Sequence, residues 1–422
     1  MTVADVVAPL VHATLGDGVP VRLRCWDGSE FGPTDAPIRV HIATRRALRR
    51  IMWQPNELGF ARAYVSGDLQ IDGDLWAGLS ALDEVAAPES GPAVTIDAST
   101  KRALARAVLR LGLIGPPPRP PSEESRLSGR RHSTRRDAAA IAHHYDVGND
   151  FYRLLLGPSM TYSCAYWPDE VTELAAAQEA KCDLVARKLG LDAGMRVLDV
   201  GSGWGAFAVH AAQRYGASVV GVTLSQEQAA FARSRVAELG LSDLVEIRVQ
   251  DYREVDDGPY DAIASIGMAE HVGADTLPGY AEALHRLLRP QGRLLNHAIS
   301  RRPGPRPEPS RTSFIDRYVF PDGELVPIAE MVGVIEQAGF EVRDVQSLRE
   351  HYTRTLRAWL ANLERDWDRA VALSSPGRAR IWRLYIAGSA LAFQANRIGV
   401  NQVLAVRPSP RGHSAMPAVR AV

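Results

Sequence analysis

The period of apolar and polar positions changes along the chain and divides it into segments of different character. Between 173 and 298, helical and strand-like patterns alternate: helix 173–190, strand 195–200, helix 205–215, strand 218–222, helix 225–239, strands 244–249 and 260–266, helix 276–289 and strand 292–298. Such alternation predicts an α/β fold with a mainly parallel sheet covered by helices on both faces. Beyond it, 300–311 is rich in Pro and Arg, and helical patterns follow at 324–338, 355–373 and 376–396. Residues 1–112 read differently. Short runs such as Val21-Arg-Leu-Arg-Cys-Trp26 and Ile38-Arg-Val-His-Ile42 mix with helical stretches near 43–52 and 75–86, which predicts a smaller N-terminal α+β domain. Between them, Gly115-Pro-Pro-Pro-Arg-Pro-Pro-Ser-Glu-Glu-Ser and the basic run that follows should bury little, so 113–136 is expected to be an extended linker and 137–422 a second domain.

Composition narrows the function classes. A chain of 422 residues, 46% hydrophobic, is long enough for two cores. Its formal net charge of zero supplies no field for a polyanion, which argues against nucleic acid as a partner. Cys25, Cys164 and Cys182 are far apart, without CxxC spacing, which fits a reduced, cytoplasmic location and implies no metal. The first residues lack a basic region before an apolar run, and no apolar stretch has the length of a membrane span, so the expected chain is soluble or peripheral to a membrane.

Chemistry concentrates where Met195-Arg-Val-Leu-Asp-Val200 runs directly into Gly201-Ser-Gly203-Trp-Gly205 and then a helix. Strand, glycine turn and helix place a ligand at the carboxyl edge of the sheet. The spacing is GxGxG rather than GxGxxG. The preceding acid, Asp199, suits a cationic amino-acid ligand better than a pyrophosphate, which favours S-adenosylmethionine (SAM) over a dinucleotide. The next strand ends Thr223-Leu-Ser-Gln-Glu-Gln228, where Gln228 or Glu227 is placed to meet a ribose. Ser225 is equally placed to cap the following helix, with Gln228 completing a capping box.

Five motifs in order then carry a resemblance: His144-Tyr-Asp-Val-Gly-Asn-Asp-Phe-Tyr152, Tyr162-Ser-Cys-Ala-Tyr-Trp167, Val197 to Gly205, Ile266-Gly-Met-Ala-Glu-His-Val-Gly273 and Tyr318-Val-Phe-Pro321. The chain resembles the cyclopropane-fatty-acyl-phospholipid synthases, mycolic acid cyclopropane synthases and related fatty-acid methyltransferases over about 137–405, and more weakly at Ala63-Tyr-Val-Ser-Gly-Asp-Leu69. The resemblance implies a Rossmann-like class I SAM methyltransferase domain with a seven-stranded sheet, a lid and C-terminal helices that bind an acyl chain. It implies methyl transfer to a cis double bond of an unsaturated fatty acyl phospholipid, through a carbocation that loses a proton to bound bicarbonate. Carried over by motif, the proton-handling set is Glu270, His297, Tyr352 and the backbones of Cys164 and Ile266. The SAM contacts become Tyr162 and Ser163, Val197, Asp199, Gly201, Ser202, Gly203, Trp204 and Gly205, Thr223, Leu224, Ser225 and Gln228, and Asp251, Tyr252 and Arg253. Asp251 is equally able to cap a turn. Ser202 stands where the family commonly has Cys, and Ala269 where many members have Phe, which leaves room beside Glu270.

The same resemblance implies a 10-methylene product, with cyclopropane as the other outcome, and a flavin-dependent reductase acting on it. It also implies a first domain for lipid docking or homodimerisation, and residence at the inner face of the plasma membrane. Arg126, Arg130, Arg131, His132, Arg135 and Arg136, with Arg301, Arg302, Arg306 and Arg311, are candidates for meeting anionic head groups, or simply solvated. Acyl-path candidates are 137–167, 314–321, Trp359, Trp382, Tyr385 and Phe393. Two other readings stand beside this one: a methyltransferase of a soluble small molecule, and a catalytically silent lipid-binding protein.

Overall fold

A computed structural model describes residues 2–15, 20–86, 105–125, 147–305 and 313–419. The chain forms two compact units. One gathers 1–126, 308–319 and 367–391, and the other 127–307, 320–366 and 392–422. Arg126, Arg130, Arg131, His132, Arg135, Arg136, Arg306 and Arg311, and the start of the His144 motif, lie outside the described residues.

The first unit is built on a four-stranded sheet of β1 (Val21–Cys25), β2 (Glu30–Phe31), β3 (Ile38–Ile42) and β4 (Leu69–Gly73), in the order β2-β1-β3-β4. β1 and β3 are parallel, and the other two pairings are antiparallel. Alternate residues Ile38, Val40 and Ile42 are buried, as period-two patterning requires. Two boundaries differ from those read in the sequence. The Pro-rich run does not behave as a free linker up to Ser125. Its prolines cannot donate backbone hydrogen bonds, and its carbonyls are taken by arginines instead: Arg49 Nη2 donates to Pro116 O, and Arg50 Nη1 donates to Arg119 O at 2.7 Å. Arg62 clasps Glu124 through Nε and Nη2 at 2.8 and 2.7 Å. Residues 367–391, expected in the second domain, likewise belong to the first unit, where Arg383 donates to the carbonyls of Ile71 and Gly73 at 2.8 and 2.7 Å.

The second unit holds β5 (Arg196–Val200), β6 (Ser218–Thr223), β7 (Val245–Val249), β8 (Tyr260–Ile266), β9 (Leu288–Arg301), the short β10 (Val326–Pro327), β11 (Glu341–Ser347) and β12 (Ile398–Val406). Its seven-strand path is β11-β12-β9-β8-β5-β6-β7, with β10 beside β9. β5 to β9 are parallel, while β12 runs antiparallel to both β9 and β11. This is the α/β architecture the alternation predicts. Val197, Leu198 and Val200 are buried, the mark of a parallel strand covered on both faces. The helical pattern predicted at 355–373 is two helices, Arg349–Arg365 and Trp367–Leu373. Among the described residues no helix is long and apolar enough to cross a membrane.

Candidate active site

The carboxyl ends of β5, β6 and β8 open onto a cleft of about 950 Å3, its mouth included. Of the residues read from the sequence as SAM contacts, Tyr162, Ser163, Asp199, Gly201, Ser202, Gly203, Trp204, Thr223, Leu224, Gln228, Asp251 and Tyr252 line it, as does Ile266. Val197, Gly205, Ser225 and Arg253 are not on its wall. Each has other work. Val197 is core, and Gly205 enters the helix Ala206–Tyr215 at φ 79°, with Ala232 so near that a Cβ would sit 3.1 Å from it. Ser225 caps the helix Gln226–Glu238 by accepting from Gln228 N at 3.2 Å. Gln228 does not close a capping box, because its Oε1 accepts from the Thr223 hydroxyl at 2.9 Å.

The glycine loop is folded on itself before any ligand is considered. Gly201 N and Ser202 N both donate to Val222 O at 3.0 Å, so those two amides are spent on the neighbouring strand. Gly201 and Gly203 hold φ of 78° and 54°, a region that costs a side-chain-bearing residue about 1–2 kcal/mol. Ser202 packs on Gly221, where a Cβ would lie 2.9 Å from Ser202 Cβ, and its hydroxyl is buried without a partner.

Asp199 is 2% exposed and its Oδ2 has no hydrogen-bond partner. Burial pushes its carboxyl up to about 7, against the pull of the Lys181 charge. Asp251, by contrast, is engaged. Burial raises its pKa, but Arg253 outweighs that through Nε at 2.8 Å and Nη2 at 2.6 Å, and the carboxyl ends below its ordinary value. Arg253 therefore holds Asp251, and the acid caps the turn at Tyr252–Glu254.

Of the residues expected from the resemblance to handle the proton, only Ile266 is on the cleft wall, and Glu270, His297, Tyr352 and Cys164 are not. His297 ends up on β9 opposite Ile266 of β8, and Gly267 N donates to His297 O at 2.8 Å. Glu270 follows β8 and accepts from Ile299 N at 2.7 Å through Oε1, which ties it two residues beyond His297 on the same strand. Glu270 Oε2 and His297 Nε2 are both shut from solvent without partners. Burial pushes the Glu270 carboxyl up to about 7 and the His297 imidazole down to about 3, so the ring is neutral. The cross-strand neighbour of His297 on β12 is Gln402, whose Nε2 lies 3.2 Å from His297 Nδ1. With the amide donating, Nδ1 accepts and the ring proton sits on Nε2, where it is available to an anionic oxygen.

Tyr352 stands in the first turn of the helix Arg349–Arg365, packed 4.6 Å from Phe393 and 6.1 Å from Trp359 by ring centroids. Trp359 in turn stacks 5.3 Å from Tyr162 of the cleft. Cys164 is fully buried, and that burial raises its thiol well above the ordinary value, which opposes a thiolate there.

The sequence reading missed Lys181, His271, Gln250 and Met268 on the cleft wall, and Gln402 behind His297. Lys181 had a signal: Ala177, Gln178, Lys181, Cys182 and Val185 recur at helical spacing on the buried stripe of Leu174–Leu189.

A doubly covered parallel sheet whose first central strand ends in a buried acid and a positive-φ glycine loop has the architecture of the Rossmann-like class of nucleoside-cofactor enzymes, to which the SAM-dependent methyltransferases belong. The family of mycolic acid cyclopropane synthetases matches residues 132–403, and the chain belongs to that family. It is 42% identical over 409 residues to the probable fatty acid methyltransferase Rv3720 of Mycobacterium tuberculosis, covering 94% of this chain and 93% of that one. With the tuberculostearic acid methyltransferase UfaA1 of the same organism it shares 36% identity over 409 residues, 93% of this chain and 89% of the other. The crystal structure of the mycolic acid cyclopropane synthase CmaA1 with S-adenosylhomocysteine (SAH) and CTAB covers 64% of this chain and 97% of its own, at 37% identity and a TM-score of 0.59. The protein is thus a SAM-dependent C-methyltransferase whose family methylates or cyclopropanates fatty acyl chains.

Proposed function

We propose that the enzyme methylates the cis double bond of an oleoyl chain esterified in a phospholipid, giving a 10-methylene product. The π electrons of the double bond attack the SAM methyl, the sulfur–carbon bond breaks, and SAH leaves. The cation lies on the adjacent carbon. A hydride shift followed by proton loss from the new methyl yields the methylene branch, whereas direct proton loss closes a cyclopropane ring. Either route needs a base placed beside a carbocation to take a proton from carbon.

The observation that carries this reading is the pair of buried, partnerless atoms Glu270 Oε2 and His297 Nε2, the first just beyond β8 and tied to Ile299 of β9, the second on β9 opposite the last residue of β8. A neutral imidazole donor and a carboxylate acceptor suit a small protonated anion. Glu270, His297 and Tyr352, with the backbone at Cys164 and Ile266, would hold a bicarbonate, which when bound supplies the base. For SAM, Asp199 offers an acceptor to the amino-acid end and the Thr223–Gln228 pair faces the ribose, so the residues present fit both molecules. The methylene outcome is favoured over the ring by the kinship to UfaA1, and a flavin-dependent reductase would then consume the product.

Lipids from bacteria expressing the chain and fed oleate test the proposal. Both products add one CH2, and NMR separates exomethylene from ring protons. An unchanged lipid profile would reject lipid methylation, and ring protons alone would reject the methylene product.

We further assign lipid docking to the first unit. Trp53, Leu109 and Ile114 are 53%, 67% and 68% exposed, and Trp53 Nε1 donates to Gly115 O at 3.1 Å, which joins the two segments that carry them. Neither 45–53 nor 105–119 contains a carboxylate, while Arg45, Arg46, Arg106 and Arg110 are exposed there. Each such arginine contributes about 1 kcal/mol near an anionic surface. Replacing Trp53, Leu109 and Ile114 together with Ser is expected to weaken sedimentation with phosphatidylglycerol vesicles roughly tenfold or more, leaving methylation of detergent-dispersed substrate unchanged. Undiminished vesicle binding would remove the docking role.

A further inference from the structure

The segment that carries Cys164 and the helix that carries Tyr352 are joined through one hydroxyl. Thr355 is fully buried and lies three residues beyond Tyr352 in the helix Arg349–Arg365. Its Oγ1 accepts from Ala165 N at 3.1 Å and from Trp167 Nε1 at 3.0 Å, and it donates to His351 O at 2.7 Å. A hydroxyl has one proton and two lone pairs, so all three are in use and its orientation is fixed. Beside it Trp167 N donates to His351 Nδ1 at 3.0 Å, and Tyr166 N donates to Ala177 O at 3.1 Å. The amides of residues 165–167 are thus spent within the protein, whereas among the described residues the adjacent amide of Cys164 has no such bond. The helix is anchored in turn. Leu348 N, at its cap, donates to Val400 O of β12 at 2.9 Å, and Val400 stands opposite Ile299, the residue whose amide holds Glu270.

A helical threonine that bonds back to its own preceding turn is common and carries no function by itself. Thr355 does this with His351 O and then takes two donors from a segment 190 and 188 residues away. Packing alone would ask for a side chain of this size. The two donors ask for an oxygen, because without it both would be buried unpaired. We infer that Thr355 is a positioning residue for proton removal, which sets the Cys164 amide against Tyr352 so that both reach one small anion. This rests on the reading that those two groups, with Glu270 and His297, hold bicarbonate. Thr355 is not itself a ligand and acts through Ala165, the neighbour of Cys164. Loss of its hydroxyl would let the segment draw away from the helix and loosen the hold on the anion. The SAM side of the segment has a separate anchor, Gln178 Nε2 donating to Ser163 O at 2.9 Å, and Thr355 is not on the cleft wall.

Three variants separate the oxygen from the space it fills. Thr355→Val keeps the shape and removes the hydroxyl, Thr355→Ser keeps the hydroxyl and removes the methyl, and Thr355→Cys puts a weaker acceptor in its place. Bicarbonate binding is read without turnover, from the broadening of the carbon signal of the 13C-labelled ion, and SAH binding is read by calorimetry. Thr355→Val should weaken bicarbonate about 10- to 100-fold and leave SAH within about twofold. Thr355→Ser should bind both ligands much as the natural protein does. Thr355→Cys should fall between, and it carries the test if Thr355→Val fails to fold. Methyl-transfer rates at saturating SAM should follow the same order, and added bicarbonate should return the weaker variants toward the natural rate.

Equal losses of bicarbonate and SAH in Thr355→Val or Thr355→Cys would show that Thr355 merely holds the fold together, and overturn the inference. So would bicarbonate affinity unchanged in either variant. A Thr355→Ser protein as weak as Thr355→Val would place the effect in the methyl group and overturn it too. If the natural protein shows no saturable binding of bicarbonate, the reading beneath the inference falls, and the role of Thr355 falls with it.

Discussion

Glu270→Gln is expected to slow methyl transfer by a factor of about 10² to 10⁴ while leaving SAH affinity within about twofold, the range typical of a lost acid–base group. The amide can still accept from Ile299 N, the bond Glu270 makes at 2.7 Å, so the loop after β8 keeps its anchor. What changes is the inward oxygen. Oε2 is shut from solvent with no partner, and an ionised carboxylate there is purely an acceptor. An amide nitrogen at that point would present protons to a ligand that also brings one. Because burial raises the Glu270 carboxyl to about 7, the natural enzyme should gain activity between about pH 6 and pH 8 as the group ionises. Initial rates across that window and calorimetry with SAH decide it. A variant that retains turnover, or a natural enzyme whose rate is flat through pH 7, would defeat the assignment of Glu270 to proton handling.

Asp199→Asn should act in opposite directions on affinity and on stability. The carboxyl has its pKa raised on folding from an ordinary 3.8 to about 7, so between those values the folded chain holds a proton that the unfolded chain has lost. Stability from this group is therefore complete below about pH 4 and falls as pH rises through 7. At about 1.4 kcal/mol for each pKa unit, the ionised form costs the ligand-free protein on the order of a few kcal/mol at pH 8. Asparagine removes that cost, and the ligand-free variant should melt several degrees higher at pH 8 and about equally at pH 4. The same substitution takes the charge from the acceptor proposed for the amino-acid end of SAM and should weaken SAH roughly 10- to 100-fold. Thermal melts at the two pH values, with and without SAH, check both halves. A variant that melts lower at pH 8 would mean that Asp199 stabilises the loop rather than waiting for a ligand.

The parts of this structure that read clearly in the sequence are those in which local pattern and tertiary role coincide. β5 to β8 are short apolar runs bounded by glycine or polar turns, and their parallel pairing follows from the helices between them. β11 and β12 did not read as strands. β11 spells Glu-Val-Arg-Asp-Val-Gln-Ser, with exposed and half-buried positions alternating, and looks like a surface turn. β12 carries Asn401 and Gln402, polar residues that are buried because they serve Ser300 and His297 across the strand pair. The Pro-rich run misled for a related reason: composition showed that it could not bond to itself, and gave no hint that arginines of the helix Arg45–Trp53 would bond to it. In the site, glycine spacing and motif order pointed to most of the cleft wall. Lys181 and Gln402 escaped because each acts on a residue distant in sequence.

The place of β12 in the sheet also bears on how the molecule comes into being. Residues 398–406 lie between β9 and β11, so the sheet cannot be completed until residue 406 has been made. The bond that orients His297 joins positions 105 apart. Long-range closures of this kind are late and slow, since the entropy of the intervening loop is lost before the contact repays it. Until then β9 presents an open edge with its backbone groups unsatisfied, the form in which strands recruit other chains. A nascent or truncated chain ending before residue 398 should thus carry an assembled cleft floor beside a sticky margin, and gain the alignment of His297 and the closure of that margin in the same event.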